Sequence, residues 1–315
     1  MEFERPLAEL EEKLDSLKRL DIAAGPELAM EIEALETEVA RLHETLYAHL
    51  TPWERIQISR HPERPKTDDY LDRVFTDVLE LRGDRFFGDD EAMFAGFGKL
   101  GGRSVVVLGH RKGKTTSENI RRNFGSPHPE GFRKAERVMR LADRFGLPIV
   151  SFLDTAGAYP GLDDEERGQA WAIAECLAVL AGVRAPVIVV GIGEGGSGGA
   201  LAIGFGDRLI MLENAYYSVI SPEMCATILH KDPAKASDAS TCLRLTAADL
   251  LAHGIADEVV GEPLGGAQRD PAGVCDAVRS AVEHALDGLA PMPIADLLAR
   301  RYERLRSIGE YAQEA

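Results

Sequence analysis

The sequence predicts an α/β protein with a helical hairpin at its N-terminus, and three observations support this. Apolar residues recur at three- and four-residue steps through the first 46 positions, which is the spacing of one face of a helix. From about residue 93 onward, short apolar runs alternate with segments of helical periodicity, as in a sheet whose parallel strands are joined by helices. Two of these runs end in glycine-rich turns, where such sheets bind their ligands.

The hairpin is assigned to residues 1–52, and residues 53–315 are assigned to a single larger domain. Two helices with coiled-coil-like faces are expected on either side of a turn at 23–26. Their apolar positions are Phe3, Leu7, Leu10, Leu14 and Leu17 in the first helix, and Leu28, Ile32, Leu35, Val39, Leu42 and Leu46 in the second. Faces of this kind serve packing or docking onto a partner chain rather than catalysis.

Two further helices are expected between the hairpin and the first strand. Thr51 and Thr67 indicate where these helices begin, since threonine is a favoured residue just before a helix. Apolar residues at 71, 74, 75, 78 and 79 predict that the second helix continues to Gly83.

The rest of the chain is predicted to alternate strands and helices. Strands are expected at 93–100, 103–108, 149–153, 187–190, 208–212 and 217–220. Helices are expected near 131–145, 164–181, 222–230, 246–252, 271–288 and 293–307, the first of them ending at Gly146. The first two strands form a hairpin. The turns at 154–161 and 193–199 follow the next two strands and are expected at one edge of the sheet.

The stretch 191–199 has six glycines in nine positions and fits more than one binding motif. A G-x-G-x-x-G pattern within it is typical of a dinucleotide-binding turn, although that turn normally follows the first strand of its domain. A G-x-S-x-G pattern around Ser197 is typical of a serine nucleophile, but the later histidines lie in no motif that marks a base.

A GTP-binding protein of the P-loop type is a further alternative. The segment 109–115 follows a strand and ends in Lys114-Thr115, and Asp154-Thr-Ala-Gly157 comes about forty residues later. However, three residues rather than four separate the glycines of this loop, and no Asn-Lys-x-Asp element follows. All of these motifs share a row of backbone N–H groups that can stabilise negative charge on oxygen.

Composition narrows the function further. The net charge of −16 argues against general nucleic-acid binding, and the acidic N-terminus and short apolar runs favour a cytoplasmic protein outside the membrane. The segment 103–144 differs, because it holds eleven Lys and Arg residues against four acids. This patch indicates a phosphate-bearing small molecule or an acidic partner. The four cysteines form no C-x-x-C pair, so no zinc site is expected.

Several longer motifs carry a resemblance to a known family. They are Ile120-Arg-Arg-Asn-Phe-Gly125, Glu165-Glu-Arg-Gly-Gln169, Val190-Gly-Ile-Gly-Glu-Gly-Gly-Ser-Gly-Gly-Ala-Leu-Ala202, Tyr217-Ser-Val-Ile-Ser-Pro-Glu223 and Pro263-Leu-Gly-Gly-Ala267. From about residue 3 to 308, the chain resembles the α subunit of the carboxyltransferase component of bacterial-type acetyl-CoA carboxylase. The resemblance implies a crotonase-like fold, which is a superhelix of ββα units.

The resemblance also implies an activity and a set of partners. The carboxyl group of carboxybiotin, held on the biotin carboxyl carrier protein, would be transferred to acetyl-CoA to give malonyl-CoA for fatty acid synthesis. The partners implied are a zinc-bearing β subunit in an α2β2 assembly, the carrier protein and biotin carboxylase, with neither DNA nor a membrane. The active site would be shared between the α and β subunits.

In this family, one backbone donor for the oxyanion comes from each of two successive strand-to-helix turns. The expected catalytic residues are Gly157 or Ala158 in the first turn and Gly198 or Gly199 in the second. Ser197 is then expected to be structural. The family usually has Asp-Thr-Pro-Gly at the first turn, where this chain has Asp-Thr-Ala-Gly.

The remaining expected site residues bind rather than react. Gly195 and Gly196 are expected to contact the cofactor. The basic residues expected to face CoA phosphates or the carrier protein are Arg111, Lys112, Lys114, Arg121 and Arg122. No metal is expected in this chain.

Overall fold

A computed structural model describes residues 1, 3–20 and 26–309 of the chain. In this part, the α-helices are α1 (Arg5–Leu20), α2 (Pro26–Tyr47), α3 (Pro52–Ser59), α4 (Thr67–Val74), α5 (Thr116–Arg121), α6 (Pro129–Phe145), α7 (Leu162–Glu166), α8 (Gln169–Gly182), α9 (Ser197–Leu201), α10 (Pro222–His230), α11 (Ala236–Leu243), α12 (Ala247–Ala252), α13 (Pro271–Leu289) and α14 (Ile294–Arg306). The strands are β1 (Thr76–Glu80), β2 (Met93–Leu100), β3 (Arg103–His110), β4 (Ile149–Thr155), β5 (Val187–Gly196), β6 (Arg208–Leu212), β7 (Tyr216–Ser218) and β8 (Glu258–Val260).

The strands form one mixed sheet in the order β1-β2-β3-β4-β5-β6-β8, and β7 pairs with the far end of β5. The pairs β1–β2 and β2–β3 are antiparallel. The pairs from β3 to β8 are parallel. Because β4 and β5 are parallel neighbours, the turns that follow them lie at the same edge of the sheet, as the sequence predicts.

The core explains why the strands of this sheet could be recognised as apolar runs. All seven residues of β4 and all ten of β5 are buried, as expected for parallel strands covered on both faces. Helix α6 packs against β2 and β3, and α13 packs against β5, β6 and β8. The Phe152 ring stacks on Tyr70 and meets Phe75 edge-on, with centroids 5.4 and 6.0 Å away. None of the described helices is both long enough and apolar enough to cross a membrane.

The N-terminal hairpin is held to the rest of the chain at its open end. Leu7 of α1 and Tyr47 of α2 are buried with Ile58 of α3. The Tyr47 hydroxyl donates to Glu4 Oε1 at 2.6 Å. Both predicted helices are confirmed, whereas most of the turn predicted at 23–26 lies outside the described residues. The division of the chain at residue 52 stays a prediction.

The helix predicted to reach Gly83 is wrong in its second half. Helix α4 ends at Val74, and the chain continues as β1, where Leu79 lies opposite Phe97 of β2. Leu79 remains 58% exposed because β1 is the edge strand of the sheet. The three- and four-residue spacing therefore combined one helix face with a strand that is not part of the core.

Other boundaries also differ from the predicted ones. The helix predicted at 164–181 is two helices, because Gly168 adopts a left-handed φ of 83° between them. Strand β5 runs six residues further than predicted, so most of the glycine-rich stretch is extended backbone. The sequence patterns do not predict helices α5 and α11 or strand β8. The hairpin of β2 and β3 and the helix ending at Gly146 are confirmed.

Candidate functional site

A cavity of about 320 Å³ lies where the two glycine-rich turns meet. Its lining comes from the turn after β4, from α8, from the start of α9, and from the segment that leads into α10. The lining residues are Ala156, Gly157, Ala158, Ile173, Ser197, Gly198, Gly199, Val219, Ile220, Ser221 and Met224. The structure thus brings together all four residues expected to supply catalytic amides. Gly195 and Gly196 lie just before this lining, in β5.

The two turns are packed against each other without room for a side chain. A Cβ atom added to Gly199 would collide with the backbone nitrogen of Ala158, and one added to Gly196 would collide with the carbonyl oxygen of Ala156. Glycine is therefore required at both positions by close approach of the backbone. The amides of the two turns face one cavity because of this contact.

The backbone N–H groups of the turns differ in their availability. The Gly157 N–H donates to Thr155 Oγ1 at 3.0 Å, which leaves it poorly placed to bind a ligand. In the described part of the chain, the N–H groups of Ala158, Gly198 and Gly199 have no acceptor. Unpaired amides beside a cavity can donate to an oxygen that becomes negatively charged. Ala158 is therefore the better donor in the first turn.

Ser197 lies at the junction of β5 and α9 with a φ of 55°. A positive φ is strained for any residue other than glycine, and such strain often occurs at functional sites. Among the described residues that line the cavity, there is no histidine that could act as a base on the Ser197 hydroxyl. The structure therefore does not support a serine nucleophile.

The two nucleotide-binding alternatives are not supported either. Gly191 and Gly193 are buried in the middle of β5, so no phosphate-binding turn forms there. In the loop that resembles a P-loop, the Gly113 N–H donates to Asn119 Oδ1 at 2.8 Å, and Lys114, the lysine of that motif, forms an ion pair with Asp69 at 2.5 Å. A P-loop needs its amides and its lysine free for phosphate.

The basic residues expected to bind phosphate are paired within the chain. Each of them contacts a carboxylate from another segment. Arg111 contacts Asp68 and Glu80, Lys112 contacts Asp154 and Glu194, Lys114 contacts Asp69, Arg121 contacts Glu91, and Arg122 contacts Asp68. A phosphate group would have to compete with these carboxylates. The expected role of these residues in binding CoA or the carrier protein stays a prediction.

Lys112 belongs to a buried ionic junction at the roots of the two turns. Its Nζ lies 2.5 Å from Glu194 Oε2 and 2.8 Å from Asp154 Oδ1. Arg60 Nε contacts the other oxygen of Glu194 at 2.6 Å, and the Tyr216 hydroxyl donates to that oxygen at 2.9 Å. Burial raises the pKa of Glu194, but the charges of Lys112 and Arg60 outweigh it and lower this pKa to about 2.

His110 connects the end of β3 to the second turn. Its buried Nε2–H donates to the carbonyl oxygen of Gly199 at 3.2 Å. Burial lowers the pKa of His110 to about 4, so its ring is neutral near pH 7. The imidazole thus holds the peptide of Gly199 without adding charge to the site.

Two residues of this junction carry a signal in the sequence. Asp154 and Glu194 are carboxylates within otherwise apolar strands, and such residues need a partner when buried. Arg60 carries no comparable signal, because it is separated from Glu194 by 134 positions and lies after α3. Only the fold shows that these residues meet.

Comparison with known proteins identifies the family. The family described as acetyl co-enzyme A carboxylase carboxyltransferase-like matches residues 1–309. The chain is 50% identical over 313 residues to acetyl-coenzyme A carboxylase carboxyl transferase subunit alpha of Thermus thermophilus, with 99% of each chain covered. It is 49% identical over 310 residues to the same subunit of Geobacillus kaustophilus, with 98% of this chain and 95% of that one covered. The chain belongs to this carboxyltransferase family.

Solved structures support the fold of this carboxyltransferase chain. A transcarboxylase 12S structure has a TM-score of 0.61 at 18% identity and covers 77% of this chain and 44% of its own. A Pseudomonas malonate decarboxylase hetero-tetramer in complex with coenzyme A has a TM-score of 0.61 at 17% identity, covering 76% of this chain and 94% of its own. The predicted crotonase-like fold is confirmed.

One group of residues in this carboxyltransferase chain has the composition of a metal site. His128, Glu130 and Asp164 place their ligand atoms within 4.8 Å of one another. However, Arg133 and Arg167 contact Glu130 Oε1 at 2.8 and 2.9 Å, and His128 Nδ1 contacts Asp164 at 2.5 Å. These contacts already satisfy the carboxylates, so the group is an ion-pair network beside the first turn.

Proposed function

We propose that this chain is the α subunit of the carboxyltransferase component of acetyl-CoA carboxylase. In this role it helps transfer a carboxyl group from carboxybiotin, held on the biotin carboxyl carrier protein, to acetyl-CoA, and malonyl-CoA is formed. The observation that carries the proposal is the contact between two amide-bearing turns at one cavity, in a chain of this family.

The chemistry of the cavity suits a reaction in which negative charge develops on oxygen. Charge builds up on the ureido oxygen of biotin when the carboxyl group leaves, and on the thioester oxygen when acetyl-CoA loses a methyl proton. Ala158 would donate from the first turn, and Gly198 or Gly199 from the second. A fixed amide donor typically contributes about 3–4 kcal/mol to the stability of such a transition state.

Among the described residues that line this cavity, no side chain is suited to act as a general base. The only polar side chains in its lining are the hydroxyls of Ser197 and Ser221. Neither has a histidine or carboxylate neighbour in that lining that would make it a base. The family resemblance implies that biotin itself takes the methyl proton of acetyl-CoA once the carboxyl group has left.

The open side of the cavity suits the partner subunit. Val219 and Met224 both line the cavity and are 80% and 54% exposed, so its open side presents apolar surface that a partner can cover. The named relatives are alpha subunits, and a composite site needs a second chain at this position. We place the β subunit over this side, with the carrier protein delivering carboxybiotin and biotin carboxylase reloading it.

Reconstitution tests this function. The purified chain is mixed with its β subunit, carboxylated carrier protein and acetyl-CoA, and malonyl-CoA is measured by mass spectrometry. We expect product from the complete mixture and almost none when either subunit is left out. If all components are folded and associated but no malonyl-CoA forms, the proposal is wrong.

A further inference from the structure

The strands that carry the two turns are paired with an irregularity just before they separate. Leu153 lies opposite Gly191, but Thr155 lies opposite Gly195. Two steps along β4 therefore match four steps along β5. This offset determines where the second turn lies relative to the first.

Lys112 contacts both strands within this irregular stretch. Its ammonium group bridges Asp154 and Glu194, and Asp154 Oδ1 also accepts the backbone N–H of Glu194 at 3.2 Å. The three side chains are at most 11% exposed. Lys112 thus joins β4 to the extra segment of β5 at the point where the two strands part.

No other cation in the described part of the chain replaces this bridge. Arg60 binds the other oxygen of Glu194 and also Glu223, but it makes no ion pair with Asp154. Among the described residues, Lys112 is the only cation within ion-pair distance of Asp154. Within the described residues, Lys112 is therefore the one cation that bridges the two strands at this offset, beside the hydrogen bond from the Glu194 N–H to Asp154.

We propose that Lys112 is a positioning residue for carboxyl transfer, holding the amides of Ala158 and Gly199 at the separation that catalysis needs. The inference rests on the function proposed above. Lys112 is not part of the cavity lining, so it acts through the turns rather than on a substrate. This role differs from the phosphate binding that its sequence context predicts.

The test compares Lys112→Met with Lys99→Met in the reconstituted enzyme. Lys99 is a matched control, because its ion pair with Asp77 has the same 2.8 Å length but is exposed and lies on β2. We expect Lys112→Met to lower kcat about a hundredfold with KM for acetyl-CoA nearly unchanged, since misplaced donors weaken only the transition state. Lys99→Met should retain the kcat of the unmodified enzyme.

A second variant separates positioning from folding. Lys112→Met leaves the Asp154 carboxylate buried without its cation, which can destabilise the chain. The double variant Lys112→Met/Asp154→Asn removes both charges. We expect its melting temperature and its assembly with the β subunit to return toward those of the unmodified chain, while kcat stays at least about tenfold lower.

Several results would overturn the inference. These are a normal kcat in either Lys112 variant, a raised KM at unchanged kcat, or a double variant that does not fold. A raised KM would mean that Lys112 contacts the substrate after all. If the unmodified enzyme and Lys99→Met both fail to make malonyl-CoA, the proposed function itself is wrong, and this inference falls with it.

Discussion

Replacing Gly199 by alanine tests the close contact between the two turns. The added Cβ would lie 2.5 Å from the carbonyl carbon of Gly157 and 3.0 Å from its Cα, and it would collide with the Ala158 nitrogen. These three nearest atoms all belong to the backbone of the first turn, so no flexible side chain can move away to relieve the collision. The turns must therefore separate, and the amides of Ala158 and Gly199 no longer point at one oxygen.

The size of the effect follows from the number of donors displaced. Loss of one oxyanion donor typically lowers kcat by about 10²–10³-fold, which is about 2.7–4 kcal/mol. We expect Gly199→Ala to lower kcat for malonyl-CoA formation by about a hundredfold or more. Assembly with the β subunit, measured by size-exclusion chromatography, should be unchanged, because the collision is local to the cavity.

Two other alanine variants complete the comparison. A Cβ at Gly288 in α13 meets no atom within 4 Å, so Gly288→Ala should retain full activity. At Gly198 the nearest atoms belong to Ile173 at 3.9 Å, and a smaller loss of kcat than at Gly199 is expected. If assembled Gly199→Ala enzyme retains the kcat of the unmodified enzyme, then the paired-donor explanation is refuted.

Two predictions concern stability. Arg301 is buried and contacts Asp207 at 2.7 Å. Arg301→Met should therefore lower the free energy of unfolding, measured by urea denaturation, by about 3–5 kcal/mol. The control Arg300→Met, at an exposed position, should have little effect. For His110, burial lowers the pKa from 6.5 to about 4, so the unfolded chain binds the proton more tightly. The free energy of unfolding should therefore fall by about 3 kcal/mol as the pH drops from about 6.5 to about 4, and His110→Gln should remove this slope. If the free energy of unfolding of His110→Gln falls with pH as steeply as that of the unmodified chain, then His110 is not the group responsible.

The parts of the fold that could be predicted are those where one face, or both, is apolar. Strands β3, β4 and β5 are recognisable because they lie inside the sheet, where both faces are covered and consecutive residues must be apolar. Strand β1 could not be recognised, since an edge strand needs few buried residues and its Leu79 is exposed. The break between α7 and α8 depends on the backbone conformation of Gly168, and a glycine in sequence does not specify which conformation it adopts.

The candidate site divides in the same way. The glycine turns could be located, because they follow apolar strands and because their sequence motifs resemble those of a known family. The ionic junction could not, since Arg60, Lys112, Asp154 and Glu194 come from four separate segments of the chain. The basic segment predicts that Lys112 faces CoA phosphates or the carrier protein, whereas the fold buries it between two carboxylates.

Because of the irregular pairing of β4 and β5, the position of the second turn depends on the exact number of residues in this part of β5. Each strand residue advances the chain by about 3.3 Å and reverses the direction of its side chain. Deleting or inserting one residue between Gly191 and Gly195 would move the second turn by that step and turn Glu194 away from Lys112. The five-residue stretch from Gly191 to Gly195 therefore has only one length that brings the second turn to the cavity and Glu194 to Lys112.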